Sequence, residues 1–246
     1  MRSLDQFLNY HIERLVADQD VPVDLMKLAT RTGAVVEERE MIPEAAMDVK
    51  DGCFHVYLQS NFKDLPGAAL RSRFSLAHEI GHTLFYEQQL GALKPRKDAP
   101  TGDRLEKACH KAAAMILVPG RSLRSEIRRR EVSTAADIVD LADRFEVSTE
   151  VMLRRLNELD GFENGWAPVL TRRIGRMFEI EYAPYPPWLK SHLGKPNIGA
   201  DFSMWFGSAE DSDGILRRKR LEGSLEAEPL RITDSKTIFE LRFRSS

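Results

Sequence analysis

Arg73-Phe74-Ser75-Leu76-Ala77-His78-Glu79-Ile80-Gly81-His82, residues 73–82, holds an H-E-x-x-H pentapeptide inside an apolar-periodic segment. From Leu70 to Phe85 the residues Leu70, Phe74, Ala77, Ile80, Leu84 and Phe85 recur at helical spacing without proline, which predicts a helix over that range. On a helix, His78 and His82 stand at i and i+4, one above the other, so both imidazoles can bind one zinc ion. Glu79 between them can then reach a water on that metal. The chemistry this pattern points to is that of a zinc hydrolase, against the plainer reading of two polar histidines on one helix face.

A catalytic zinc takes three protein ligands and keeps one position open, so a third donor is required. The segment from Asp103 to Val118 is rich in helix formers, is stopped by Pro119-Gly120, and carries Glu106 in its first turn. Glu106 and His110 are i and i+4, with Cys109 alongside. A His2Glu set suits hydrolysis and a thiolate suits a structural site, so Glu106 ranks first, His110 second and Cys109 last.

These residues carry a family resemblance. Arg73 to His82, then Glu106-x-x-x-His110, then Met115-Ile116-Leu117-Val118-Pro119 resemble the ImmA/IrrE family of zinc metallopeptidases. Pro22-Val23-Asp24 opening a short helix, a strand pair, and a polar Asn61 before the motif helix also match, as do Leu141 to Ser148 and Arg155-Leu156, which resemble the family's trailing helical pair. The likeness runs over about residues 20 to 160. It implies that His78, His82 and Glu106 are zinc ligands and Glu79 the catalytic base. Three positions depart from the family pattern: His110 stands where Asn or Asp is usual, Ala112 where Phe is common, and Tyr86 where His often occurs. His110 is expected to orient a ligand from outside the coordination sphere, with direct ligation as the alternative. Tyr86, placed on the stripe of His78 and His82, is a candidate donor to a tetrahedral oxyanion, with structural packing as the other reading.

The 246 residues, 42% hydrophobic and 30% charged with a net charge of -2, have the balance of a soluble globular protein. No run of 18 apolar residues is present, so no membrane span is expected. Residues 1–20 space Leu4, Phe7, Leu8, Ile12 and Leu15 like an amphipathic helix and lack a secretory signal pattern. With two cysteines, Cys53 and Cys109, a reducing, cytoplasmic setting is the expectation.

The expected fold class is α+β: a mostly helical zinc-peptidase domain with a small β-sheet over residues 1–160, including a helix-turn-helix-like pair at about 120–160, then a smaller α+β or β-rich domain over 161–246. Helix is expected over Val23 to Thr32, closed by Gly33, and strands over Ala34 to Met41 and Cys53 to Gln59. The strand ending near Asn61 is the candidate edge for substrate. Leu90 to Gly102 reads as a loop rimming the cleft. Helical patterns follow over Ser122 to Arg130, Ala135 to Phe145 and Thr149 to Leu159, with Ser133 and Ser148 placed as caps. Strand-like runs follow over Met177 to Tyr182, Phe202 to Phe206, Pro229 to Ile232 and Thr237 to Phe243.

The resemblance implies limited cleavage of a protein substrate, a transcriptional repressor or an antitoxin-like regulator in stress or mobile-element control. It also suggests a regulatory or substrate-recruiting role for residues 161–246. The alternative is a metal-retaining regulator with a closed zinc site that does not turn over peptide. A DNA-binding reading draws on Arg121, Arg124, Arg128, Arg129 and Arg130 and on Arg217-Arg218-Lys219-Arg220, though the net charge of -2 weighs against it.

Overall fold

A computed structural model describes residues 3–60, 67–89, 92–159, 162, 166–175, 177–184, 186, 189, 198–202, 216–220 and 223–245. Its contacts divide the chain into two compact units, residues 1–125 with 143–148, and residues 126–142 with 149–246. The α+β class holds: helices dominate the first unit and a larger sheet the second.

In the first unit, α1 (Leu4–Leu15) starts at a capping box in which the Gln6 N–H donates to Ser3 Oγ and the Ser3 N–H to Gln6 Oε1, at 3.2 and 3.0 Å. It buries Leu8 and Ile12, and its Lys111–Asp5 ion pair of 2.9 Å reaches the later helix that carries Glu106. Helix α2 (Leu25–Arg31) is capped by Asp24, which accepts from the Lys27 N–H, and it ends before Gly33, whose φ of 77° suits a residue without Cβ.

Three strands follow, β1 (Ala34–Arg39), β2 (Ala45–Lys50) and β3 (Cys53–Gln59), in the order β1-β3-β2, with β1 parallel and β2 antiparallel to β3. The strand expected as the substrate edge, β3, is therefore central and paired on both sides; the edges are β1 and β2. Asn61, expected to follow it, lies outside the described residues. Strand β2 escaped the sequence reading because its apolar residues do not alternate cleanly. Its signal was the Asp51-Gly52 turn, with φ of 52° and 75°, which closes a two-residue hairpin between Lys50 and Cys53.

Helix α3 (Ala68–Thr83) buries Leu76, Ala77, Ile80 and Gly81. Two short antiparallel strands follow, β4 (Tyr86–Gln89) and β5 (Ala92–Pro95), the latter inside the stretch expected as loop. Arg96 secures the end of α3: its N–H donates to the Phe85 carbonyl at 2.8 Å and its Nε to the Leu84 carbonyl at 3.0 Å. Helix α4 (Asp103–Leu117) packs on α3 through small residues. A Cβ built on Gly81 would stand 3.1 Å from Ala112 Cβ and 3.3 Å from the Cys109 carbonyl oxygen, so the two backbones meet where only glycine leaves room. Pro119 ends that helix before α5 (Gly120–Arg129).

In the second unit, Thr134 rather than Ser133 caps the next helix, α6 (Ala135–Phe145), through a reciprocal pair: the Asp137 N–H donates to Thr134 Oγ1 and the Thr134 N–H to Asp137 Oδ2. Helix α7 (Thr149–Glu158) buries Met152, Leu153, Arg155 and Leu156. The sheet contains β6 (Trp166–Ile174), β7 (Met177–Tyr182), β8 (Leu216–Arg220), β9 (Gly223–Arg231) and β10 (Lys236–Ser245), all antiparallel in the order β7-β6-β10-β9-β8. Ala167, Val169, Ile180, Leu189, Phe202, Phe239 and Leu241 form its core. The strand expected at Phe202 to Phe206 lies outside the described residues beyond Phe202.

Candidate metal centre

Helix α3 presents His78 and His82 on one face, and α4 presents Glu106 one turn into its length. His78 Nε2 lies 3.1 Å from His82 Nε2 and 3.2 Å from Glu106 Oε2, while His82 Nε2 is 3.7 Å from Glu106 Oε1. Ligands about 2.0–2.1 Å from a tetrahedral zinc stand about 3.3–3.4 Å from one another, so these separations are those of three donors around one ion. The side chains of His78 and His82 are 12% and 15% exposed and that of Glu106 is 53% exposed, which makes a sheltered floor with one open flank.

Electrostatics match the donor geometry. Burial, reinforced by the neighbouring imidazoles of His82 and His110, pushes the His78 pKa down. Burial also lowers that of His82, so both rings are neutral at pH 7, the form that binds a metal. Glu79 is 7% exposed, and burial, then the charge of Glu106, raises its carboxyl to about 7. The same causes raise the Cys109 thiol. Two groups on separate helices are thus pushed toward their neutral forms mainly by burial, and the Glu106 carboxylate adds to both shifts, a contribution that a cation would offset.

His110 joins the cluster: its ring, His78 and Glu106 offer ligand atoms all within 4.8 Å of one another. Cys109, ranked last as a donor, is fully buried and its carbonyl and Cα face Gly81 in the helix interface. Tyr86 does not share the stripe expected for it, because α3 ends at Thr83 and Tyr86 begins β4, paired with Pro95. Its ring packs edge-on against Phe54 of β3, with centroids 5.4 Å apart. Sequence reasoning missed Ser75, whose hydroxyl donates to Glu44 at 3.2 Å and ties the chain entering β2 to α3 one turn before His78. No residue pattern announced that bond, because it depends on the unforeseen strand.

Part of the chain is similar to known proteins. Residues 68–157 match the peptidase family model described as the IrrE N-terminal-like domain. The radiation response metalloprotease IrrE of Deinococcus radiodurans is 39% identical over 92 residues, 36% of this chain but only 27% of that protein, so the likeness spans about a quarter of the relative's length. A Mycobacterium tuberculosis transcriptional regulator has a similar fold, with a TM-score of 0.50 and 14% identity, covering 96% of this chain and 75% of the regulator. Through residues 68–157, which build α3 and α4, this chain is similar to the IrrE N-terminal-like peptidase domain.

Proposed function

We propose that this chain is a zinc-dependent peptidase that cuts a partner protein at a limited number of positions, with His78, His82 and Glu106 as metal ligands and Glu79 as general base. The observation that carries the reading is the convergence of two neutral imidazole nitrogens and one carboxylate at 3.1, 3.2 and 3.7 Å. That donor set fits zinc in a hydrolytic site. When bound, zinc supplies a Lewis acid that polarises a scissile carbonyl and acidifies water, worth several kcal/mol at the transition state.

Proton traffic falls to Glu79. Its carboxylate takes a proton from the attacking water and delivers it to the leaving amine nitrogen, a role typically worth about a hundred- to ten-thousandfold in rate. Burial raises the Glu79 carboxyl to about 7 in the chain without metal, and a bound cation would draw it back toward the carboxylate that the base role needs. Tyr86, no longer on the histidine stripe, keeps its oxyanion role only as a question that Tyr86→Phe decides.

The family and the IrrE relative support a protein substrate, and we propose a transcriptional repressor or antitoxin-like regulator in stress or mobile-element control, met in the cytoplasm. Residues 161–246 are proposed to regulate the peptidase or recruit its substrate. Among the described residues no helix is long and apolar enough to cross a membrane. Direct DNA binding is the weaker reading, because the net charge is -2 and three of the five arginines in the basic cluster meet carboxylates: Arg124 lies 3.7 Å from Glu13, and Arg129 and Arg130 lie 2.7 and 3.2 Å from Glu126. The outward Arg154 of α7 is engaged as well, paired with Glu150 at 2.8 Å and set over the Tyr182 ring. The side chains of Arg217 to Arg220 lie outside the described residues.

Metal analysis paired with a cleavage assay on candidate repressors tests the proposal. The parent should hold one zinc per chain, the His78→Ala/His82→Ala variant none, and Glu79→Gln a full complement with hydrolysis reduced about a hundredfold or more. Full zinc occupancy in the double histidine variant, or parental turnover by Glu79→Gln, overturns it.

A further inference from the structure

A fourth donor stands beside the three assigned to the metal. His110 lies one turn beyond Glu106 on α4, and its Nδ1 is 2.8 Å from the Glu106 main-chain oxygen. A carbonyl oxygen only accepts, so Nδ1 carries the ring proton, and in the neutral imidazole Nε2 keeps its lone pair. Such a ring has no proton on Nε2 to give to an oxyanion. Nor does it serve a ligand from outside the coordination sphere, since the proton on Nδ1 goes to the backbone of Glu106 and not to its carboxylate. What the ring retains is a lone pair suited to a cation.

Its surroundings hold the ring beside His78. The His78 ring meets His110 edge-on with centroids 4.5 Å apart, and the Phe74 ring lies against it at 5.8 Å. His110 is nevertheless exposed, in contrast to the sheltered His78 and His82. It is oriented from within and reachable from solvent.

We propose that His110 is a displaceable fourth ligand. Its Nε2 would join His78, His82 and Glu106 in holding the ion, and would have to give way to a substrate carbonyl oxygen before cleavage. The exchange swaps one neutral donor for another and moves no proton, so it is governed by the relative affinity of substrate and imidazole for the ion. The sequence favoured a role outside the sphere because ligation by residues i and i+4 of α4 crowds a metal already held by α3. The bond from Nδ1 to the Glu106 carbonyl relieves that objection, because it folds the ring back over the same turn as Glu106.

The proposal deepens the zinc-site reading and rests on it. X-ray absorption at the zinc edge of the full chain counts the imidazoles directly: three are expected in the parent and two in His110→Asn. Acetohydroxamate, titrated into the cobalt-substituted proteins and followed by visible absorption, should bind His110→Asn about tenfold or more tighter than the parent, and basal peptidase activity should rise in that variant. Two imidazoles in the parent, or equal hydroxamate affinity in both proteins, overturns the fourth ligand and leaves the three-ligand site standing. A parent that binds no metal overturns both. Because the imidazole count is made on the parent alone, the outcome does not depend on how the variant folds.

Discussion

Placing a methyl group at Gly81 tests whether the close approach of α3 and α4 sets the geometry of the site. The new Cβ would meet Ala112 Cβ at 3.1 Å, the Cys109 oxygen at 3.3 Å and Cys109 Cα at 3.5 Å, whereas relaxed carbon contacts sit at about 3.5–4.0 Å. Overpacking of this kind costs about 1–3 kcal/mol, while replacing a mid-helix glycine by alanine gains about 1 kcal/mol. Gly81→Ala should therefore lose about 1 kcal/mol net. Ala112→Gly alone should lose about 1–2 kcal/mol in helix propensity and burial. In the double variant the methyl group has moved from one helix to the other and the shortest contact is gone. Its loss should fall short of the sum of the singles by about 1 kcal/mol or more. Urea unfolding followed by far-UV circular dichroism gives the cycle, with hydrogen exchange of the α3 and α4 amides as the local readout. Because His78 and His82 ride on α3 and Glu106 on α4, Gly81→Ala should also weaken zinc binding about tenfold, and the double variant should recover part of that loss. A Gly81→Ala protein as stable as the parent, with no coupling to Ala112, refutes the argument.

In the metal-free chain, Glu79 should shape stability against pH. Its carboxyl moves from 4.5 to about 7 on folding, so the stabilisation present below about pH 4.5 is lost as pH rises to 7, by about 3 kcal/mol. Unfolding of the parent minus that of Glu79→Gln should show this slope, and a flat difference would contradict it. Tyr86→Phe should keep zinc and hydrolysis within a few-fold, whereas Tyr86→Ala should lose roughly 1–3 kcal/mol with its packing on Phe54; a hundredfold fall in kcat for Tyr86→Phe would restore the oxyanion role. Arg96→Ala should lower stability by roughly 1–2 kcal/mol and speed exchange at the end of α3, and Arg96→Lys should not rescue it, since the bond to Leu84 comes from the guanidinium Nε; parental exchange rates in Arg96→Ala would show that the bond is idle.

The sequence disclosed what repeats with a local period. Helix α3 was visible in the spacing of Phe74, Ala77 and Ile80, and β3 in the alternation of Phe54, Val56 and Leu58. Glu106 could be placed in a first turn because its helix start is polar and its end is marked by proline, and ranked because a His2Glu set suits hydrolysis. What escaped depends on pairing between distant segments. β2 exists because β3 offers it a partner, and Tyr86 leaves the helix because β5 receives it, although the residues between the motif and Tyr86 continue an apolar pattern. The protonated nitrogen of His110 was also beyond reach, since spacing places a ring on a face without saying which atom meets the backbone.

The pieces of the site depend on one another through charge. Glu106 is the proposed third donor, and its charge adds to the burial that raises both Glu79 and Cys109. Without a cation, the fold bears the cost of a buried acid held near its neutral form beside two unprotonated imidazoles. On the proposed reading a divalent ion at the same point would reverse the sign: held by His78, His82 and Glu106, it would offset the carboxylate charge and return Glu79 toward the form that a general base requires. The packing of Gly81 against Ala112 and Cys109 would thus serve chemistry as well as stability, because it brings the proposed ligands of two helices close enough for a single ion to satisfy both. Metal binding, closure of α3 on α4 and the basicity of Glu79 are then one linked equilibrium, in which any change that separates the helices lowers all three together.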